Sequence, residues 1–138
     1  MKNVIIDTNS LVSFVADRNP DQQEKAAQLF EDAARLKLSI VCHQNVITEF
    51  VYVLDKIYNV NKDKINELVV DLINLPGMNL ANEIDIYTVQ KIWPSNMSDF
   101  GDAIIAALCM KSKNTSIATF DEKFKKSLTK LSLPVYPF

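Results

Sequence analysis

The sequence predicts a three-layer α/β domain with a mainly parallel central sheet. Three features lead there. Short apolar runs alternate with amphipathic stretches along the whole chain, turn-forming residues punctuate most of the junctions, and no internal repeat interrupts the alternation. A chain of 138 residues with 48% apolar content can bury one core, so a single domain over residues 1–138 is expected. Only 2 Gly and 5 Pro leave no room for a flexible linker.

The elements follow in order. Val4, Ile5 and Ile6 form a short β-branched run, read as a buried strand, and Asp7-Thr8-Asn9 are types that favour a turn and a helix start, so a helix is expected from about 10 to 16. After the break at Arg18-Asn19-Pro20, Ala26, Ala27, Phe30, Ala33 and Ala34 recur at helical spacing and mark an amphipathic helix. Residues 38–42 read as a second buried strand. In 44–59, Val46, Phe50, Val53, Leu54 and Ile57 mark one helical face, and Glu49 falls inside it. A helix over 62–75 stops at Leu75-Pro76-Gly77, and 78–80 suits a short strand. Asn82 or Glu83 opens the next helix, which Trp93-Pro94 closes. Residues 98–108 predict a helix apolar on nearly every side, with Asp99 and Asp102 at its start. A strand over 116–120 ends at Asp121, a lysine-rich helix spans 122–130, and Val135-Tyr136 suits a last edge strand. Strands alternating with helices imply right-handed crossovers.

Composition excludes several function classes. The formal charge of −2 argues against a coating protein held to nucleic acid by a broad basic surface, while leaving room for a local basic groove. No apolar run reaches the roughly 18 residues of a membrane span, and the opening MKNVIID is no signal peptide, so a cytoplasmic protein without membrane contact is expected. Cys42 and Cys109 lie far apart in apolar runs, which suits small buried side chains in a reducing compartment.

Chemistry concentrates on carboxylates. Ligands of open parallel sheets bind outside the carboxyl ends of the strands, where Asp7 and Asp121 would emerge. Asp99 and Asp102, three apart, project from one face of a helix start. Glu49 stands in the otherwise apolar VITEFVYVL, where burying a lone carboxylate demands a partner. No Lys or Arg adjoins Asp7, Glu49 or Asp102 in sequence, so a divalent cation is the simplest partner. An all-oxygen set without His or Cys suits Mg²⁺ or Mn²⁺ and phosphodiester hydrolysis.

These residues resemble the PIN-domain family, which includes VapC-type toxins of toxin–antitoxin pairs and RNA-processing nucleases. The resemblance runs from end to end: IIDTN at 5–9, Glu49 in ITEF, Asp102-Ala103-Ile104-Ile105-Ala106-Ala107 opening a buried helix, and Thr119-Phe120-Asp121 after a strand. It implies a three-layer α/β/α fold and an Mg²⁺- or Mn²⁺-dependent endoribonuclease. Asp7, Glu49, Asp102 and Asp121 are its implied catalytic and metal-binding acids, and Asp99 an additional ligand. Thr8 or Asn9 and Thr119 would orient them or bind water. It also implies an RNA substrate such as a tRNA, an antitoxin partner and a homodimer.

Structural roles compete with each of these. Asp7 and Asp121 suit helix caps, and Asp99 and Asp102 suit a helix's first turn. The lone His43 suits a hydrogen-bonding structural role. Lys111, Lys113, Lys123, Lys125, Lys126 and Lys130 form a local excess that would track phosphates beside Asp121 or simply face water. Phe14, Phe50, Tyr52 and Trp93 suit core or partner contacts. The alternative to a nuclease is a catalytically silent RNA- or protein-binding module. A phosphatase with Asp7 as nucleophile is disfavoured by Asn9, and a receiver-type domain by the lack of acids at Val4-Ile5-Ile6.

Overall fold

The computed structural model describes residues 1–16 and 18–138. Its centre is a parallel four-stranded sheet formed by β1 (Asn3–Ile6), β2 (Ser39–His43), β3 (Met78–Ala81) and β4 (Thr115–Ala118), in the order β3-β2-β1-β4. β1 lies between β2 and β4, with Val4 opposite Ile40 on one side and Ile5 opposite Ile117 on the other. Helices cover both faces of such a sheet, so its central strand is apolar at successive positions, and Val4, Ile5 and Ile6 are all buried.

The helices are α1 (Thr8–Val15), α2 (Pro20–Ala34), α3 (Gln44–Tyr52), α4 (Lys62–Ile73), α5 (Ile86–Ile92), α6 (Phe100–Met110) and α7 (Glu122–Lys130). Side-chain caps fix most of their starts. Asn19 accepts from Gln22 N with Pro20 in the first turn, and Asn61 accepts from Asp63 N and Lys64 N. α6 buries Ala103, Ile104, Ile105, Ala106, Ala107 and Cys109, so it is the apolar-all-round helix expected of residues 98–108.

The chain steps outward from β1 to β2 to β3, then returns across the sheet to lay β4 on the other side of β1. This reversal of strand order opens a crevice at the carboxyl ends of β1 and β4, the usual ligand position in an open α/β sheet. Asp7 leaves β1 there, and Asp121 follows β4 by three residues.

Several elements depart from their expected bounds. The helix expected over 44–59 divides into α3 and a π-helical turn, Val53–Ile57, in which Tyr58 N donates to Val53 O at 3.1 Å. That turn keeps Leu54 buried but leaves Ile57 62% exposed, so Ile57 is not part of the core face. On α2, Leu29 takes the buried place expected of Ala27. α5 opens at Ile86 rather than at Asn82 or Glu83, because the cap is Asp85, whose side chain accepts from Thr88 N. β4 ends at Ala118 rather than Phe120. The last edge strand contracts to a single parallel bridge of Val135 with Ile117.

Between α4 and β3, Gly77 holds φ +81°, and a Cβ there would overlap the Ala33 carbonyl oxygen and lie 3.2 Å from the Ala33 Cα. Backbone cannot move aside as a side chain can. Gly77→Ala is therefore expected to destabilise the fold by about 2–4 kcal/mol, read as a lower denaturation midpoint at unchanged slope. Among the described residues no helix is long and apolar enough to cross a membrane. Cys42 and Cys109 are buried free thiols, and burial pushes the Cys42 thiol up to about 12, which makes it inert as a nucleophile.

Candidate active site

Asp7 is the cap of α1 and is only 4% exposed, its carboxylate accepting from Ser10 N at 2.9 Å. The Ser10 hydroxyl donates to Ala118 O at 3.2 Å, which fastens the start of α1 to the end of β4. Burial pushes the Asp7 carboxyl above the usual range. Hydrogen bonds from Ser10 and Thr119 work against that rise, and the charge of Asp121 adds to it.

Glu49 reaches the same crevice from α3. It is half-buried, accepting from the Thr8 hydroxyl at 2.9 Å and the Asn45 amide at 3.0 Å. Two neutral donors thus supply the partner its burial demands, where a divalent cation was the simplest one expected. Thr8 orients Glu49 across the crevice, one of the roles the family resemblance implies for Thr8 or Asn9.

Asp99 and Asp102 enter from α6. Asp99 is the exposed cap, accepting from Asp102 N at 2.9 Å, so α6 begins one residue after it. Asp102 is half-buried, and its carboxyl is pushed up to about 8. Loss of solvent is the first cause, followed by the charges of Asp99, Asp7, Asp121 and Glu49. Asp121 caps α7 through Lys123 N at 2.9 Å and Phe124 N at 3.2 Å, while Asp121 N donates to the Thr119 hydroxyl at 3.1 Å. The capping roles and the convergence thus coexist in Asp7, Asp99 and Asp121.

All five acids line one cleft of about 530 Å³, together with Thr8, Asn9, Lys123, Ser127 and residues 94–99. Among the described residues none of the five forms an ion pair. No three His, Cys, Asp or Glu side chains among those residues are already closed into a metal-holding group. The donor set nonetheless fits a hard divalent cation: it is built of carboxylate oxygens, none of them in an ion pair among the described residues, and burial together with the neighbouring charges holds a proton on Asp102 that an ion would replace.

The other charged candidates fall elsewhere, Lys123 excepted. His43 is buried as the cap of α3, its Nδ1 accepting from Asn45 N at 2.9 Å and its Nε2 lying 2.9 Å from Glu83 O. Among the six lysines between 111 and 130, Lys111 pairs with Asp85, Lys125 pairs with Glu122, and Lys123 lines the cleft. The wall at 94–98 and the supporting amide of Asn45 were not legible in the sequence, since both depend on how distant segments meet.

The family model of the PIN domain matches residues 4–127. The chain belongs to the PIN-domain family. A VapC ribonuclease of Aquifex aeolicus (strain VF5) is 24% identical over 122 residues, covering 88% of this chain and 90% of that protein. The crystal structure of FitAcB from Neisseria gonorrhoeae shares the fold, with a TM-score of 0.62, 16% identity, and coverage of 97% of this chain and 96% of that one. In this PIN domain the four motif acids Asp7, Glu49, Asp102 and Asp121 come from four separate segments and meet only through the β1–β4 crevice.

Proposed function

We propose that the protein is a divalent-metal-dependent endoribonuclease that hydrolyses RNA phosphodiester bonds and acts as the toxin of a toxin–antitoxin pair. The observation that carries this reading is the convergence of five carboxylates, without an ion pair among the described residues, in one cleft. The PIN-domain family and the VapC ribonuclease relative support it. Asp7, Glu49, Asp102 and Asp121 would hold Mg²⁺ or Mn²⁺, with Asp99 as an additional ligand. The bound ion would supply positive charge against the phosphodiester and an acidified water. Thr8 and Asn45 keep Glu49 aimed into the cleft, while Ser10 and Thr119 hold Asp7 and the backbone ahead of Asp121. With cellular RNA such as tRNA as substrate, this work would be done in the cytoplasm.

Partners follow from the same reading. A second, apolar groove of about 760 Å³ runs between α1, α2 and α4, lined by Leu11, Phe14, Phe30, Leu68 and Leu72 among others. It would accept the apolar face of an antitoxin helix. Exposed Leu80, Ile84, Ile86 and Tyr87 offer apolar surface for a homodimer.

Incubation with a structured RNA such as a tRNA tests the activity. Cleavage is expected with Mg²⁺ or Mn²⁺, is expected to stop with EDTA, and is expected to return when the ion is restored in excess. RNA bound but uncut under every metal condition would overturn the nuclease reading in favour of the silent binding module.

A further inference from the structure

An aromatic pair brackets the segment 94–99 that walls the acid cleft. Trp93 ends α5 immediately before residues 94–99, and Phe100 follows them as the first residue of α6. The two rings meet edge-on, with centroids 5.1 Å apart and planes at 85°. The indole N–H of Trp93 donates to Ser98 O at 2.9 Å, which fixes the ring against the wall. Trp93 remains 37% exposed and Phe100 41% exposed. Trp93 thus lies outside the core, the first of the two roles, core or partner contact, expected of it at helical spacing. An indole already held by its own hydrogen bond loses little conformational freedom when something stacks on it.

A cation reaches the same point from the other side. Lys123, at the start of α7, lines the cleft and directs its Nζ to the Ser98 hydroxyl at 3.4 Å. Ser98 therefore receives the indole N–H on its carbonyl and the ammonium on its hydroxyl. A flat apolar face and a phosphate-seeking charge flank one residue of the cleft wall.

We propose that Trp93 and Phe100 form a stacking subsite for one unpaired RNA base, and that Lys123 holds the phosphate joining that nucleotide to the one in the acid cleft. This rests on the ribonuclease reading and narrows it to RNA that is single-stranded beside the cut. In a duplex the bases are stacked on each other and present no free face, whereas unpaired bases stack readily on aromatic side chains. The lysine beside the rings favours a polyanion over an apolar protein surface.

Trp93 is the chain's single tryptophan, so its emission reports on this subsite alone. With EDTA present to keep RNA intact, a single-stranded oligoribonucleotide is expected to quench that emission, and a blunt duplex of the same sequence is not. By anisotropy of labelled RNA, Trp93→Leu is expected to weaken single-strand binding about tenfold, while Trp93→Phe restores much of it. Lys123→Gln is expected to reduce the slope of log affinity against log salt by about 0.7. Circular dichroism and thermal midpoints establish that each variant is folded.

Three results would overturn the subsite: no quenching by saturating single strand, equal quenching by duplex, or emission that follows protein concentration alone because a second copy covers the indole. Metal-dependent cleavage without quenching removes the subsite and leaves the ribonuclease reading standing. Quenching by single strand without cleavage supports the subsite and removes the nuclease reading.

Discussion

Asp102→Asn is expected to lower RNA cleavage by on the order of 10²–10³-fold while making the metal-free protein more stable at pH 8. Both effects come from one cause. The folded protein withdraws Asp102 from solvent and crowds it with Asp99, Asp7, Asp121 and Glu49, which pushes its carboxyl up to about 8 from the ordinary 3.8. Between about pH 4 and pH 8 the native state holds a proton there that the unfolded chain has lost. Stability must fall as pH rises across that window, since the native state binds more protons than the unfolded one. The contribution is complete below pH 4 and is lost through pH 8. Asparagine imitates the protonated acid and cannot ionise, so its variant escapes this loss.

Allowing for solvent around a half-buried group, the gain at pH 8 is about 2 kcal/mol. Denaturant unfolding with EDTA at pH 4, 6 and 8 measures it, and the difference between parent and variant should widen with pH. In the parent, Mg²⁺ or Mn²⁺ should recover the stability lost at pH 8, because an ion bound only to the native state stabilises it by mass action. The variant should respond far less. Equal pH profiles for the two proteins would show that burial and the neighbouring acids do not hold a proton on Asp102.

Strands proved legible because their signal is local. Val4, Ile5 and Ile6 needed only their β-branched, apolar run, and the turn-forming types at 7–9 placed the start of α1 to within two residues. Asp7 and Asp121 were legible for the same reason, since their place follows from standing just beyond strands in an open sheet. Glu49 was legible as a carboxylate in need of a partner among apolar neighbours, but that Thr8 and Asn45 meet it depends on how α1 and α3 pack. The electrostatic need for a cation rests instead on Asp102, whose burial and repulsion are a property of four segments together. Lys123 likewise could not be separated from its neighbouring lysines until Lys111 and Lys125 were seen paired with Asp85 and Glu122. The π-helical turn at Val53–Ile57 left no mark in the periodicity, because a change of helical register is set by packing rather than by residue type.

Gly101 carries the second large effect. It stands in the first turn of α6, where alanine would be favoured by up to about 1 kcal/mol on helix propensity. A Cβ at that position would overlap Glu49 Oε1 and come within 3.1 Å of Asp99 Oδ1. The missing side chain is the space that the Glu49 carboxylate occupies. Gly77 meets backbone, but Gly101 meets the far end of a flexible side chain, so Gly101→Ala should leave the fold within about 1 kcal/mol of the parent. The carboxylate has to swing away from Thr8 and Asn45 to make room, and a displacement of about 1 Å at a reacting centre costs on the order of 10²-fold in rate.

Gly101→Ala is therefore expected to cut RNA about 10²-fold more slowly at nearly unchanged denaturation midpoint. In a Glu49→Gln background the same substitution should add little, because the carboxylate it displaces has already been replaced by an amide of the same size. Steady-state cleavage of the four proteins closes that cycle. Additive losses would mean that Gly101 acts on α6 itself, through Asp99 and Asp102. A non-additive cycle would identify the glycine as the element that lets a glutamate from α3 reach the acids at the start of α6.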